Sequence, residues 1–353
     1  MSVIHGGDPA AVAARYGVDP SALIDFSANI APHGPPPRVA EVLAAAARNP
    51  RILAPYPSPA YAALRKALAA GRGVTEDCIV IGHGASALID AAVRTFAVPS
   101  WLVPVPAFSE YRRAIESAGK TFARFPLSRT FDLDVNAYVE RLHSADAGAL
   151  LNSPHNPSGA AYDRAALRAV ADECERLQRP FVLDAAFVDY APELDQPLPW
   201  ALVIRSLTKF YALAGVRIGY AVAAPRLAAR LRSVLPSWPV GTLDAALALA
   251  AIEDETYERA TRLQTLCERE RLRDAITAMG LSVLTSQANF LFVDLALEPG
   301  EVDNALEELV RGGVIVRDCR SFEGLERSSY VRIAVLARAQ NERLLAALAR
   351  IRR

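Results

Sequence analysis

Lys209 lies in Ser206-Leu207-Thr208-Lys209-Phe210-Tyr211, directly after the apolar run 202–205, and Arg217 follows in Gly215-Val216-Arg217-Ile218-Gly219. A lone lysine after a strand is ordinarily a solvated surface residue. Preceded by hydroxyls and followed by an arginine, this one suits an amine that forms an imine beside a phosphate dianion. Asp184 ends the apolar run Phe181-Val182-Leu183, where a carboxylate is expensive without a cation or a donor. It reads either as a helix N-cap or as the acceptor for a protonated ring nitrogen. Gly84-Ala85-Ser86 follows another short apolar run and opens a helical pattern, a geometry that offers free backbone N–H groups to a phosphate. Glycine turns before helices are common, so this signal is weak alone. Asn152-Ser153-Pro154-His155-Asn156-Pro157-Ser158-Gly159 follows the run ending at Leu151; taken by itself it is a rigid loop.

Such residues act together only if strands deliver them to one edge. Short apolar runs alternate with helical patterns, which is the signature of a largely parallel, doubly wound α/β sheet. Strands are expected over 78–81, 101–104, 148–151, 181–184, 202–206 and 217–222. Leu167, Val170, Ala171, Cys174 and Leu177 recur at helical spacing and make a crossover helix between the third and fourth. In open α/β sheets ligands collect at the carboxyl ends of the strands, where the polar residues above fall. The proline-rich turn at 32–37 separates an N-terminal arm from the rest of the chain. Beyond about residue 236 the pattern changes to long helices, then to the runs 288–293 and 314–316, and ends in a helix with Leu344, Leu345, Leu348 and Ile351 on one face. The expected division is an arm over 1–37 packing with a small domain, a large cofactor-binding domain over 38–240, and a small α+β domain over 241–353.

The 353 residues carry 39 basic and 39 acidic side chains, so no global field is available to hold a polyanion. A small-molecule partner fits better than nucleic acid. The first residues lack the basic and apolar regions of a secretory signal, and the longest apolar stretch, from Ala245 to Ile252, is well short of the roughly 18 residues that cross a bilayer. A cytoplasmic protein with no membrane partner is expected. Cys78, Cys174, Cys267 and Cys319 are scattered, with no spacing suited to zinc, so reduced structural thiols and no metal are expected.

Asn-Pro-Ser-Gly, a strand-end Asp, Ser-Leu-Thr-Lys and Gly-x-Arg-x-Gly come in that order along the chain. In this the sequence resembles the fold-type I pyridoxal-5′-phosphate (PLP) enzymes, aminotransferase classes I and II, over nearly its whole length. The resemblance implies the aspartate-aminotransferase-like fold, a large mixed, mostly parallel sheet domain with a small α+β domain, and PLP as cofactor. It implies that Lys209 is the Schiff-base lysine, that Asp184 pairs with the pyridinium nitrogen and that Asn156 bonds the phenolate oxygen. Ala85, Ser86, Ser206 and Arg217 would hold the cofactor phosphate, and Phe108 would stack on the ring. Tyr56 would reach the phosphate of a neighbouring subunit's cofactor, which implies a homodimer.

Within that family the arm His5-Gly6-Gly7, the stretch Ile24-Asp25-Phe26-Ser27-Ala28-Asn29-Ile30, and Phe187 where histidinol-phosphate aminotransferases usually carry tyrosine are similar to the L-threonine-O-3-phosphate decarboxylases of cobalamin biosynthesis. That likeness implies a pocket lined by His5, Gly6, Asn29 and Asn156, with Arg317 and Arg332 binding the substrate's phosphate and carboxylate. Two guanidiniums suit two anions, although each could instead be a surface arginine of a strand. His83 and Ala185 depart from the relatives, which usually have Asn and Glu there. The runner-up activity is a histidinol-phosphate-type aminotransferase. A PLP-binding transcriptional regulator is a remote alternative, since the sequence opens on the family arm and its charge is balanced.

Overall fold

The computed structural model describes residues 6–351. Thirteen strands lie among them: β1 (Ile24–Asp25), β2 (Ile79–Gly82), β3 (Ser100–Val105), β4 (Thr121–Pro126), β5 (Ala147–Asn152), β6 (Phe181–Asp184), β7 (Ala201–Ser206), β8 (Gly219–Val222), β9 (Ser282–Val283), β10 (Phe290–Asp294), β11 (Val314–Ile315), β12 (Arg317–Asp318) and β13 (Tyr330–Ala334). The large sheet has the order β2-β8-β7-β6-β5-β3-β4, parallel throughout except that β8 runs antiparallel to both of its neighbours. This is the large mixed, mostly parallel sheet that the family resemblance implies.

Its strands read as continuous apolar runs because helices cover both faces. Successive residues point to opposite sides: Val103, Leu150, Val182 and Leu202 pack with Leu88 and Ile89 of the helix Gly84–Thr95, whereas Leu102, Leu151, Phe181 and Leu183 pack with Tyr138, Leu167 and Val170 from two helices behind. The crossover helix, Arg164–Arg176, starts at Asp163, whose carboxylate accepts from the Ala166 N–H.

Two expectations about strands are corrected. β4 was not foreseen: it is a half-exposed edge strand whose Thr121-Phe122-Ala123-Arg124-Phe125-Pro126 never forms an apolar run. The last strand begins at Gly219 and not at Arg217, because Arg217 adopts a left-handed backbone (φ 56°) after the 3-10 turn Ala214–Val216 and cannot continue an extended ladder.

A second, antiparallel sheet of order β12-β13-β10-β9 is covered by Glu255–Ala278 and Arg338–Ile351. Arg317 and Arg332 are register partners across β12 and β13. The N-terminal segment is stitched to this layer: β1 pairs in parallel with β11, the Phe26 N–H donates to the Ile315 carbonyl at 2.7 Å, and the Phe26 carbonyl accepts from Ala334 at 2.8 Å. The four cysteines are free thiols, and among the described residues no helix is long and apolar enough to cross a membrane.

Phe26 is fully buried in the small-sheet core. Truncating it to alanine should cost about 3–5 kcal/mol, read as a lowered urea midpoint. An unchanged midpoint would mean that the N-terminal segment contributes nothing to that core.

Candidate active site

Parallel pairing sets Asn152 beside Asp184 and Asp184 beside Ile204, so β5, β6 and β7 end at one edge. Asn152 braces the loop after it: its amide donates to the Asp184 carbonyl at 2.8 Å and its Oδ1 accepts from the Asn156 N–H at 2.7 Å. His155 locks the same loop from within. Burial holds its pKa down at about 4, so the ring is neutral. Its Nε2 lies 2.9 Å from the Pro106 carbonyl, which can only accept, so Nε2 carries the proton and Nδ1 accepts from the Ser158 hydroxyl at 2.7 Å.

Asp184 is buried to 4 % exposure, and burial raises its pKa against the pull of Tyr111, Lys209 and the Ala186 N–H. The Tyr111 hydroxyl donates to Oδ2 at 2.6 Å and the Ala186 N–H to Oδ1 at 3.0 Å. Lys209 belongs to the short helix Leu207–Phe210 that β7 feeds, and its Nζ donates to Ser206 Oγ at 3.1 Å. Burial lowers the Lys209 pKa to about 8; Asp184 opposes that shift, while Arg217 and Arg332 add to it. An amine so held is readily neutral, as a nucleophile must be.

The first turn of the helix Gly84–Thr95 has no side-chain cap, leaving the N–H groups around Ala85 and Ser86 for a ligand. The left-handed backbone of Arg217 turns its guanidinium towards this turn: Nη2 lies 3.1 Å from where a Cβ on Gly84 would stand, and Nη1 donates to the Ala214 carbonyl at 3.1 Å. Gly219 makes the approach of β8 feasible, since a Cβ there would lie 2.7 Å from the Arg205 carbonyl oxygen and 3.0 Å from the Ala85 nitrogen. Ser206 Oγ, 2.7 Å from Thr208 Oγ1, sits at the adjoining strand end.

On the small-sheet side both arginines are buried, against the alternative of surface residues. Arg332 donates to Asn156 Oδ1 at 2.5 Å and to the Ser27 carbonyl at 2.9 Å, and burial lowers its pKa to about 10. With Oδ1 so engaged, the Asn156 amide nitrogen faces elsewhere as a donor. Arg317 donates to Ser321 Oγ at 2.7 Å, and burial lowers its pKa as well. Asn29 is buried with Oδ1 unpartnered within the protein. A cavity of about 440 Å³ runs from Gly6 and Ser27 to Arg317, and the Gly7 N–H donates to Ser27 Oγ at 2.9 Å. His5 lies outside the described residues. Phe108 precedes the helix Ser109–Ser117, its ring edge-on to Tyr111 at 5.6 Å. Tyr56 stands apart from this grouping: it is 79 % exposed and stacks on Trp238 at 4.6 Å.

Tyr111, Asn152, His155 and Ser27 were not singled out from the sequence as site residues. Of these only Asn152 is marked by its position, as the polar residue directly after the apolar run 148–151.

These groups fit PLP. A buried carboxylate with a raised pKa is completed by a ring N–H⁺, an amine whose pKa is lowered to about 8 by an aldehyde, and the uncapped helix start with Arg217 by a phosphate dianion. The comparisons with known proteins agree. The model of the family described as aminotransferase class I and II matches residues 21–351. Threonine-phosphate decarboxylase of Salmonella typhimurium is 34 % identical, over 98 % of this chain and 95 % of its own. Histidinol-phosphate aminotransferase of Methanopyrus kandleri is 32 % identical, over 94 % and 88 %. Histidinol-phosphate aminotransferase from Sinorhizobium meliloti, solved with pyridoxal-5′-phosphate, superposes with a TM-score of 0.89 at 24 % identity, covering 99 % of this chain and 95 % of that one.

PLP uptake by the apoprotein should accelerate as pH rises through about 8, where the Lys209 ammonium loses its proton. Asp184→Asn removes the charge that supports that ammonium, so the midpoint should move to lower pH. Stopped-flow absorbance measures both, and a midpoint near that of free lysine would refute the assignment. Arg217→Ala should weaken PLP retention about tenfold or more, as expected for loss of a charged hydrogen bond of about 1.5–3 kcal/mol, and Gly219→Ala should weaken it by pushing β8 away from the helix start at Ala85. Equilibrium titration of the apoproteins is the check.

Proposed function

The chain belongs to the aminotransferase class I and II family, and from that premise we propose that it converts L-threonine O-3-phosphate to (R)-1-amino-2-propanol O-2-phosphate and CO₂, a step of cobalamin biosynthesis. Its cofactor is pyridoxal 5′-phosphate. The observation that carries the reading is the pair of buried arginines, register partners across β12 and β13, one of which, Arg332, reaches the end of the large sheet through Asn156. Two buried guanidiniums can take two anions on one small substrate, each as a bidentate pair. Threonine phosphate carries a phosphate and a carboxylate, whereas histidinol phosphate carries the phosphate alone. Arg332, bonded to Asn156, is assigned the carboxylate; Arg317, beside the cavity that reaches Gly6, is assigned the phosphate. The name of the Salmonella relative supports the same substrate.

The chemistry supplied by PLP when bound is electron withdrawal from whichever bond at the substrate Cα stands perpendicular to its ring. Asp184 keeps the ring nitrogen protonated, the charge-assisted bond contributing about 1.5–3 kcal/mol. Tyr111 and the Ala186 N–H hold the carboxylate so that it stays aimed at that nitrogen. Asn156 presents its amide N–H to the phenolate oxygen. Phe187 has no hydroxyl to share that task, and its ring is used instead in an edge-on contact with Phe290 at 5.0 Å. Lys209, whose Nζ stands beside Ser206 Oγ, would hold the cofactor and is the amine placed to deliver a proton to the substrate Cα. Tyr56, exposed and propped on Trp238, serves the cofactor phosphate of a second copy in a homodimer.

A second reading is supported by aminotransferase relatives of similar identity. In it the same arginines would serve a phosphate in one half-turnover and a keto-acid carboxylate in the other. The assay that separates them is direct. Threonine phosphate alone should release CO₂ over many turnovers, with unphosphorylated threonine poor because the contacts made to the phosphate would be missing. Glutamate formed from histidinol phosphate and 2-oxoglutarate, with no CO₂ from threonine phosphate, would establish the aminotransferase instead. Arg317→Ala should erase the discrimination between threonine and its phosphate, whereas Arg332→Ala should weaken both.

A further inference from the structure

After β12 the chain turns through Cys319–Ser321 into the loop 322–325. This loop cradles Arg317 on two sides. Ser321 Oγ accepts from the guanidinium at 2.7 Å, and the guanidinium lies over the Phe322 ring at 5.4 Å. The next residue, Glu323, reaches the other sheet, where it accepts from Arg112 of the helix Ser109–Ser117 and forms an ion pair with Arg124 of β4. Arg112 is itself fixed, donating to Glu116 at 2.9 Å and lying over the Phe122 ring at 4.5 Å. The same helix carries Tyr111, the donor to Asp184. A continuous set of contacts therefore links Arg317 to Asp184 through Phe322, Glu323, Arg112 and one rigid helix. The backbone hydrogen bonds of the loop run to near neighbours in the same segment, from Phe322 to Cys319 at 2.9 Å, from Leu325 to Phe322 at 3.1 Å and from Ser328 to Leu325 at 2.9 Å. A cleft of about 1010 Å³, lined by Arg112, Arg124, Ser321 and Glu323, opens beside the tie, and Ser321 also lines the cavity that holds Arg317.

We propose that Glu323 is a positioning residue: its carboxylate, shared between Arg112 and Arg124, pins the Arg317 loop to the large sheet and sets where that guanidinium stands relative to the cofactor face. The inference rests on the proposal that Arg317 binds the substrate phosphate. An exposed ion pair would do little here. Glu323 is different in being only 20 % exposed at its side chain and held by two cations at once. Releasing it leaves Arg317 in the same loop but removes the tie that orients the loop across the cleft. Geometry of this kind governs binding more than chemistry, because the reacting atoms are held by Lys209, Asp184 and Asn156.

The test uses holoenzyme and inorganic phosphate as probe, bound without turnover and followed through the visible absorbance of the cofactor. In Glu323→Gln the phosphate dissociation constant should rise about three- to thirtyfold, the range of coupling between residues in one ion network, while the PLP dissociation constant stays at the wild-type value. Arg112→Met combined with Arg124→Met should give the same rise, and adding Glu323→Gln to that pair should add nothing. Glu323→Asp should recover part of the affinity. With whichever phosphorylated substrate is turned over, KM should rise more than kcat falls. Wild-type phosphate affinity in Glu323→Gln, or equal loss of phosphate and PLP affinity, would overturn the inference. Should Arg317→Ala leave phosphate binding intact, the reading of Arg317 falls and this inference with it; should Arg317→Ala abolish binding while Glu323→Gln does not, the inference falls alone.

Discussion

Two aspartates five residues apart are buried to nearly the same degree, Asp184 at 4 % exposure and Asp189 at 3 %, yet their pKa values move in opposite directions. For Asp189 burial is outweighed by Arg205 and Arg72, and the carboxyl is held below its ordinary range. For Asp184 burial prevails over Tyr111, Lys209 and the Ala186 N–H, and the carboxyl is raised. The difference comes from the partners. Asp189 accepts from Arg205 at 2.6 Å and joins Arg72 and Asp195 in a closed ion network, whereas Asp184 has a phenol, a backbone amide and a lysine whose own amine is bonded to Ser206. A buried charge short of a full counter-ion is destabilising until something supplies one. The site is organised around that deficit, which a protonated ring nitrogen removes.

The closed network has its own part in this arrangement. Arg205 immediately precedes Ser206, and Asp189 follows the turn that β6 makes after Asp184, so the ion pair ties the ends of β6 and β7 behind the site. Arg262 donates to the Asp189 carbonyl at 2.9 Å and to Glu258 at 2.8 Å, and Glu258 accepts from Tyr211, two residues past Lys209. The lysine turn is therefore held from behind by groups whose charges are matched. Strain at Arg217 belongs to the same pattern of placement: a left-handed arginine is disfavoured locally, and it persists where its guanidinium closes the phosphate cradle.

Much of this was legible in the sequence because the large sheet is buried on both faces, and such strands write themselves as uninterrupted apolar runs ending in a polar residue. Lys209, Asp184 and Asn156 each sit at or just past the end of one. β4 escaped because an edge strand with one wet face carries no such run, and Arg217 was drawn into a strand because Ile218 and Tyr220 extend the apolar pattern past a backbone turn that composition does not reveal. Tyr111, Ser27 and Glu323 were invisible for a different reason. Each matters through a partner 73 or more residues away, Asp184 for Tyr111, Arg332 for Ser27 and Arg112 for Glu323, and no local spacing encodes such a pairing. His155 looked like part of a proline-rich loop, and only its two ring contacts show it to be the pin that holds Asn156 in place.

Arg332 joins the two halves of the site most directly. Its Nη1 occupies Asn156 Oδ1 and its Nη2 the Ser27 carbonyl, both neutral oxygens, so a carboxylate arriving at this guanidinium replaces weaker acceptors with a charged one. Whatever takes Nη1 acts on Asn156, and so on the donor offered to the cofactor's phenolate oxygen; whatever takes Nη2 acts on Ser27, whose hydroxyl accepts from Gly7 and donates to Asp25 at 2.5 Å. Capture of one anion thus reaches both the cofactor face and the N-terminal segment that lines the cavity, without any element having to move far. Arg317, by contrast, answers to the loop that Glu323 pins. The two arginines stand at paired positions on adjacent strands, so their separation is fixed by the β12–β13 register, while their side chains are held by different partners, Asn156 and the Ser27 carbonyl for Arg332 and Ser321 for Arg317.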